Sequence, residues 1–257
     1  MYMPLSLLER TRIEKAAQDA GFDLASSVED GWLLLASSLF SQKLGVAGDG
    51  QERYSLAIPV QSVINHIAGE YSLEKVASNS VGSPAVTGIN GFKQLYEVFD
   101  RAASMLRVMN CLGLRLFQER TRTIPDATEV SRMVQQRVGQ DVFRATLLEY
   151  WGGRCAVSGL DEPQLLRASH IKPWAKCDTD NERLDVFNGL LLAPHYDALF
   201  DAGWITFDDA GLVVISPSLK EGSRQVIGLR GDERLHTLAP EHAGYLAWHR
   251  QHEFRKH

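Results

Sequence analysis

Three residues between positions 165 and 205 have side chains that could act together in a hydrolytic reaction. His170 carries an imidazole, which in its neutral form can take a proton from water near pH 7. Asp197 carries a carboxylate, and hard cations such as Mg²⁺ prefer oxygen ligands of this kind. Asn188 carries an amide that can bond to donors and acceptors at once and so hold two segments together. An activated water, a metal ion and a rigid frame are what metal-assisted cleavage of a phosphodiester bond requires.

The elements predicted around these residues would bring them into one site. The apolar run LLRASHI, which contains His170, predicts a strand. Asn188-Gly189 indicates a turn that opens a second apolar run, LLLA. The segment HYDALFDAG predicts a short helix that ends at Gly203. The order strand, loop, strand and helix, with one candidate residue on each of the three parts, is that of the ββα-metal fold.

The segments around these residues resemble the HNH endonucleases, in particular the subgroup with the motifs ASHIKPW, RLD-x-x-NG and hD-x-LFD-x-G. Here these motifs occupy residues 168–174, 183–189 and 196–203. The upstream segment GQDVFRATLLEYWGGRCAVSG, residues 139–159, is also similar to this subgroup. The resemblance therefore covers about residues 138–205 and leaves the first half of the chain without a family.

The resemblance implies a metal-dependent endonuclease that acts on DNA. It assigns His170 as the general base and Asn188 as the residue that holds the histidine strand against the helix. Asp197 takes the position of the last motif residue, nine places after the asparagine. The implied cofactor is Mg²⁺ or another divalent cation such as Mn²⁺, and the candidate metal ligands are Asp197, Ser169 and His195.

The chain departs from the family pattern at the residue before the histidine. Many HNH proteins have a metal-binding Asp or His there, whereas this chain has Ser169, whose neutral hydroxyl is a weak ligand. The ion would then depend on Asp197, on substrate phosphate and on water, with His195 as a further candidate ligand.

A second departure concerns zinc. Many relatives build a structural zinc site from two C-x-x-C pairs, but this chain has only Cys155, with Ser158, Ala193 and Tyr196 at the other three positions. One thiol cannot hold tetrahedral zinc, so no structural zinc is expected.

Binding to DNA would need a local basic surface, because the net charge of the chain is −5. The candidate phosphate contacts are Arg167, Lys172, Lys176 and Arg183. For Arg183, an ion pair with Asp185 is an equal alternative. The five histidines that follow the motifs are expected on the surface, namely His236, His242, His249, His252 and His257.

The predicted fold class is α+β, with an N-terminal α+β domain followed by a ββα-metal nuclease domain. Residues 1–117 form the first domain, a candidate target-recognition domain in which residues 92–114 are one long helix. The polar segment QERTRTIPDATEVSRM, residues 118–133, is the predicted linker. Residues 134–257 form the nuclease domain, with a C-terminal hairpin and helix.

The composition is that of a globular protein outside membranes. The chain has 257 residues, 44% of them hydrophobic and 23% charged, and it has no apolar run of the length that spans a bilayer. Three scattered cysteines fit a reducing compartment, so a cytoplasmic location is expected. The expected partner is DNA and not a membrane, and a homodimer is left open.

Two functions of the nuclease segment remain as hypotheses at the level of sequence, and a third possibility is that the N-terminal domain binds a protein or small-molecule signal with the nuclease as its effector. The first is a restriction-type HNH endonuclease that acts on foreign or modified DNA. The alternative is a catalytically degenerate HNH-fold protein that binds DNA or another partner without cleaving it. Ser169 and the acidic net charge favour the alternative, and the intact His170, Asn188 and Asp197 favour the enzyme.

Overall fold

The computed structural model describes residues 5–76, 84–110, 112–124 and 128–256. It divides into two compact units, Met1–Asn110 and Cys111–His257. Each unit mixes helices with antiparallel strands, which confirms the predicted α+β class. Among the described residues, no helix has both the length and the apolar character needed to cross a bilayer.

Unit 1 is built on an antiparallel sheet of short strands. Among the described residues, six strands pair in the order β1-β2-β3-β4-β6-β5. Strands β3 and β4 form a hairpin around Gly50 and pair from Gly45 with Ala57 to Gly48 with Tyr54. The strands are β1 (Ser27–Glu29), β2 (Trp32–Leu35), β3 (Leu44–Gly48), β4 (Arg53–Ala57), β5 (Glu74–Val76) and β6 (Ala85–Asn90).

In the described part of unit 1, three helices accompany this sheet: α1 (Leu7–Asp19), α2 (Gln61–Glu70) and α3 (Gly91–Met109). The helix predicted over residues 92–114 stops at Met109, and a separate helix, α4, begins at Leu112. The side-chain amide of Asn110 donates to the Leu106 carbonyl at 2.7 Å and to Gln42 at 3.1 Å. These bonds satisfy the end of α3 locally, so the break in the helix has a specific cause.

Unit 2 contains the candidate catalytic residues. Its helices are α4 (Leu112–Thr121), α5 (Glu129–Tyr150), α6 (Asp180–Leu184), α7 (Pro194–Asp201), α8 (Glu221–Ile227) and α9 (His242–His252). Its strands are β7 (Arg167–His170), β8 (Gly189–Leu192), β9 (Ile205–Phe207) and β10 (Val213–Ile215), and 3₁₀ turns cover Trp174–Lys176 and Val186–Asn188.

The predicted order of strand, loop, strand and helix is confirmed in β7, β8 and α7. The strands are antiparallel, with His170 opposite Gly189. Helix α7 begins with Pro194 in its first turn and is followed by Gly203 with φ of +69°. A Cβ atom on Gly203 would lie 2.1 Å from the Glu253 carbonyl oxygen, so glycine both ends the helix and admits the C-terminal segment.

The segment predicted as a linker, residues 118–133, is largely helical. Helix α4 extends to Thr121, and α5 begins at Glu129 after Thr128 accepts a hydrogen bond from the Ser131 amide at 3.1 Å. Residues 125–127 lie outside the described residues. The polar composition that suggested a linker thus belongs to the exposed sides of two helices, and the boundary between units falls at residues 110 and 111.

Two histidines that were expected on the surface are buried, so that prediction was wrong for them. His242 is 0% exposed and His249 is 2% exposed. His236 and His252 are exposed, as expected, and His257 lies outside the described residues. The buried side of helix α9 packs toward β9. The sequence of this short terminal helix does not indicate which strand it contacts.

Both buried imidazoles are neutral at pH 7. The His249 ring stacks on Phe200 at 3.9 Å, and its Nε2 lies 3.2 Å from the Phe200 carbonyl oxygen. His242 lies among Tyr150, Trp151 and Phe187. Desolvation by burial lowers the pKa of each histidine to about 4.

These low pKa values predict a loss of stability in mild acid. An unfolded histidine has a pKa near 6.5, so between about pH 6.5 and about pH 4 the unfolded chain binds more protons than the folded chain. The free energy of unfolding should therefore fall as the pH falls through this window, by up to about 1.4 kcal/mol per pH unit for each buried histidine. Urea unfolding of the full chain at pH 7 and pH 5 measures this.

A matched pair of variants tests the assignment of this effect. His249→Gln should make the unfolding free energy less dependent on pH, whereas His236→Gln, at an exposed position, should leave the dependence as in the parent protein. Equal pH dependence in both variants would contradict the assignment, whatever their absolute stability.

Candidate active site

His170 is the last residue of β7, and its ring is fixed on two sides. The imidazole stacks on Phe143 of α5 with ring centroids 3.7 Å apart and an interplanar angle of 14°. The ring of Trp174 is nearly perpendicular to the imidazole, in an edge contact with ring centroids 5.7 Å apart. Its Nε2 atom lies 2.9 Å from the backbone carbonyl oxygen of Arg183. The ring is therefore held by an aromatic face, an aromatic edge and a hydrogen bond.

The Arg183 carbonyl selects the tautomer of His170. A carbonyl oxygen only accepts hydrogen bonds, so Nε2 must carry the proton and the lone pair of the neutral ring must lie on Nδ1. Desolvation by burial lowers the pKa of His170 to about 4, and the bond to Arg183 opposes this shift. At neutral pH the ring is uncharged, and Nδ1 can accept a proton.

Asn188 ties together the ends of the loop that joins β7 to β8. It is fully buried, and its Oδ1 accepts a hydrogen bond from the Lys172 amide at 2.7 Å. Its Nδ2 donates to the carbonyl oxygens of Lys172 at 3.1 Å and of Glu182 at 2.9 Å. Because Glu182 precedes Arg183, Asn188 fixes the same stretch of backbone that orients His170.

The dipeptide Asn188-Gly189 suggested a turn, but Gly189 has a different role. Its backbone is extended, with φ of −146° and ψ of 143°, and it begins β8 after the 3₁₀ turn Val186–Asn188. A Cβ atom at this position would lie 2.6 Å from Phe143 and 2.7 Å from Leu147. Glycine is therefore required for the close approach of β8 to α5, where Phe143 supports His170.

Two carboxylates lie one helical turn apart on α7, beside Ser169. Asp197 and Asp201 are four residues apart, a spacing that places side chains on the same side of a helix. The Ser169 hydroxyl donates to Asp201 at 2.9 Å. Burial, and for Asp197 the nearby charge of Asp201, raise the pKa values of these carboxyls. Within the described part of the chain, neither carboxylate forms an ion pair.

Asp197, Asp201 and Ser169 offer oxygen ligands of the kind that a hard divalent cation prefers. The charge of such a cation would also offset the repulsion between the two carboxylates. The described residues contain no group of three His, Cys, Asp or Glu side chains arranged to hold a metal, so water or substrate would have to complete the coordination. Asp201 was missed in the sequence, although the spacing DALFD carried the signal for it.

His195 does not join these ligands. Side chains two positions apart on a helix point to different sides, so His195 and Asp197 cannot converge on one ion from α7. The His195 side chain is exposed, and its ring lies 4.2 Å from that of Tyr196. The structure therefore corrects the prediction of His195 as a metal ligand.

A cleft of about 320 Å³ brings His170 together with two acidic residues from different parts of the chain. Its lining includes His170, Trp174 and Asp201, together with Glu253, which follows α9. Glu253 had no signal in the sequence, because it is more than 80 residues from His170 and only the packing of the C-terminal segment brings it near. The cleft offers a proton acceptor and carboxylates to one substrate.

Lys172 is a structural residue and not part of a basic surface. It is 9% exposed, and its Nζ lies 3.1 Å from Asp178 and 3.0 Å from Glu182. These two carboxylates neutralise its charge and clamp the loop between β7 and β8. The DNA contact predicted for Lys172 is thereby corrected.

The guanidinium of Arg183 also serves the loop. It donates to Asp180 at 2.9 Å and to the Cys177 carbonyl at 2.6 Å, so the expected pairing with Asp185 is absent. Asp185 instead accepts hydrogen bonds from the Phe187 amide and the Tyr245 hydroxyl. Arg167 and Lys176 are exposed, as a role in phosphate contact requires.

The positions that carry zinc ligands in many relatives meet around Cys155. Its sulfur accepts hydrogen bonds from the Ser158 amide at 3.4 Å and the Ala193 amide at 3.2 Å. The thiol is buried and free. Through these two hydrogen bonds, it connects the segment at Ser158 with the segment at Ala193. That the protein holds no structural zinc stays a prediction.

The close contact at Gly189 predicts the effect of a single added methyl group. Gly189→Ala should lower the free energy of unfolding by about 1–3 kcal/mol, because Phe143 or Leu147 must move. Gly222→Ala is the control, since Gly222 lies in α8 with open space around its Cβ position, and the change should raise stability by up to about 1 kcal/mol. Urea unfolding decides, and equal effects of the two substitutions would contradict the packing argument.

One of the comparisons with known proteins identifies a family for part of unit 2. Residues 155–208 match a family model described as HNH endonuclease. A comparison with curated proteins finds no match to the chain. His170, Asn188, Asp197 and Asp201 lie within the matched segment, whereas Glu253, α4 and α5 lie outside it. Proteins of this family are generally nucleases that use divalent metal ions. Over residues 155–208, the chain therefore matches the HNH endonuclease family.

Proposed function

We propose that this protein is a metal-dependent endonuclease that hydrolyses phosphodiester bonds in DNA. The observation that carries the proposal is His170, whose Nε2 is bonded to the Arg183 carbonyl while the ring lines a cleft shared with Asp201. A neutral imidazole fixed in this tautomer presents Nδ1 as a proton acceptor. The family of the matched segment points to the same chemistry.

In the proposed reaction, His170 acts as the general base. The oxygen of a water molecule attacks phosphorus, the water proton passes to Nδ1, and the bond from phosphorus to the leaving oxygen breaks. The leaving oxygen then takes a proton from solvent. The imidazolium formed on His170 is stabilised by its Nε2–H bond to the Arg183 carbonyl, which strengthens when the ring is charged.

Asp197 and Asp201 are the proposed protein ligands of a divalent cation, Mg²⁺ or Mn²⁺, with the Ser169 hydroxyl beside them. When bound, such an ion would stabilise negative charge on the phosphate and on the leaving oxygen. The remaining residues supply rigidity. Asn188 and Lys172 hold the loop that contains the Arg183 carbonyl, so that His170 keeps its position during the reaction.

The finer role that we propose is restriction of foreign or modified DNA, with unit 1 as the part that selects the target. This proposal depends on the presence of a compact α+β unit in addition to the nuclease segment. Aromatic side chains can stack on a DNA base. Of three such residues in unit 1, Trp32 and Tyr54 are buried and Tyr71 is partly exposed. Cleavage of phage genomes that differ in cytosine modification tests this role, and equal cleavage of all of them would contradict selection by modification.

Replacement of the general base provides the central test. His170→Ala should lower the rate of plasmid nicking by about 10²–10⁴-fold, with DNA affinity close to that of the parent protein. His195→Ala is the control, since His195 is exposed and does not line the cleft, and it should retain activity. Nicking with and without EDTA is the measurement. Unchanged nicking by His170→Ala at saturating metal would contradict the role, and a parent protein that binds DNA but never nicks it would favour the degenerate alternative.

The paired carboxylates predict the response to metal. Asp197→Asn and Asp201→Asn should each raise the Mg²⁺ concentration for half-maximal nicking by at least about tenfold, because each removes one anionic ligand. The rise in melting temperature that Mg²⁺ causes in the parent protein should also be lost. Asp161→Asn, at an exposed position outside the cleft, should behave as the parent protein in both measurements. An Asp201→Asn variant with the metal dependence of the parent protein would leave Asp197 as the single carboxylate ligand.

A further inference from the structure

A second and larger cavity of unit 2 lies beside the catalytic cleft. It has a volume of about 770 Å³ and is formed by α4, the first turns of α5, and the loop and helix that follow β7. We call it the α4–α5 groove and define it by six of its lining residues, Gln118, Arg122, Arg132, Gln136, Trp174 and Arg183. Four of these residues lie before the segment that matches the HNH family, so the family match assigns them nothing.

The charges in this groove are unlike those of the whole chain. The groove has three arginines and one acidic residue, Asp180, which pairs with Arg183 at 2.9 Å. Arg122 and Arg132 are exposed, and no ion pair in the described part of the chain neutralises either one. Two unneutralised positive charges thus meet in one concave surface of a protein whose net charge is −5. This is the local basic surface that binding of a polyanion requires.

The uncharged lining suits the same ligand. The amides of Gln118 and Gln136 are exposed and can donate hydrogen bonds to phosphate or sugar oxygens. Exposed arginines at a groove bind phosphate through two parallel N–H donors, which a nucleic-acid backbone satisfies repeatedly along its length.

Trp174 connects this groove to the catalytic cleft, because its side chain lines both cavities. The indole is fixed in place. The centroids of the Trp174 and His170 rings are 5.7 Å apart, and the two rings are nearly perpendicular. The indole also packs closely on α5, since a Cβ atom on Gly139 would lie 2.2 Å from it. A chain of nucleotides in the groove would therefore pass a rigid aromatic wall directly into the cleft that contains His170.

From these observations we infer that the α4–α5 groove binds the backbone of the DNA substrate and directs it to His170, with Arg122 and Arg132 as the phosphate contacts. The inference rests on the proposed nuclease function for its choice of ligand. It also extends the basic surface expected from the sequence, in which Arg167 and Lys176 are exposed, Lys172 is neutralised and Arg183 serves mainly the loop. The polar segment that suggested a linker adds Arg122 and Arg132, for which the described residues provide no ion-pair partner.

The test measures DNA binding separately from cleavage. The full chain is mixed in EDTA with a fluorescently labelled duplex, and the binding constant is determined over a series of KCl concentrations. Loss of two phosphate contacts to a duplex should reduce the magnitude of the slope of log K against log[KCl] by about 1.8. The double variant Arg122→Ala/Arg132→Ala should show this reduction, together with about tenfold or greater loss of affinity near physiological salt.

The matched control is Arg120→Ala/Arg137→Ala, which removes the same charge from exposed positions in α4 and α5 that lie outside the groove lining. Arg120 is two residues from Arg122, and Arg137 is five residues from Arg132. It should keep the slope of the parent protein. In nicking assays the groove variant should show a raised KM with kcat near that of the parent protein, since the cleft is unchanged.

The outcomes separate this inference from the proposed nuclease function. If the two double variants lose the same slope and affinity, or if the groove variant binds like the parent protein, the groove is not the DNA site even where cleavage is observed. If the groove variant alone loses binding but the parent protein never nicks DNA with Mg²⁺ or Mn²⁺, the groove assignment stands and the proposed nuclease function fails.

Discussion

The hydrogen bond between His170 Nε2 and the Arg183 carbonyl is the interaction on which the candidate site depends. It determines which nitrogen of the imidazole carries the proton, and so which nitrogen can act as a base. A rotated ring or the other tautomer would present an N–H to the substrate and could not accept a proton from water. The surrounding contacts are best understood as ways of keeping this carbonyl and this ring in place.

The loop between β7 and β8 holds the carbonyl. Asn188, fully buried at the end of the loop, bonds to the backbone of Lys172 near its beginning and of Glu182 in α6. The buried Lys172 ammonium draws Asp178 and Glu182 together, and the guanidinium of Arg183 closes the loop onto Asp180 and the Cys177 carbonyl. Charged residues that resemble DNA contacts in the sequence thus act as internal clamps. An unpaired charge at a site as buried as that of Lys172 would be costly, which explains why both carboxylates meet it.

Helix α5 holds the ring and has a second role. Phe143 forms the surface on which His170 stacks, and two glycines, Gly139 and Gly189, allow Trp174 and β8 to approach that helix closely. The first turns of the same helix carry Arg132 and Gln136 of the α4–α5 groove. One rigid helix of 22 residues therefore links the proposed DNA contacts to the orientation of the base. Substitutions that displace α5 should affect both binding and catalysis.

The sequence by itself determined the local pattern of unit 2: a strand that ends at His170, a second strand after Asn188, and a short helix that carries Asp197 and ends before Gly203. Each of these has a cause within a few residues, such as apolar periodicity or a glycine that must adopt positive φ. Only the tertiary structure decided which charged groups are free. Whether Lys172, Arg183 or Arg122 carries an available charge depends on carboxylates brought near by folding, and composition does not report this. The burial of His242 and His249, the arrival of Glu253 at the cleft, and the close contact that requires Gly189 likewise depend on packing between segments far apart in the chain. The residues that could do the chemistry were therefore visible in the sequence, whereas the surface that could bring DNA to them was not.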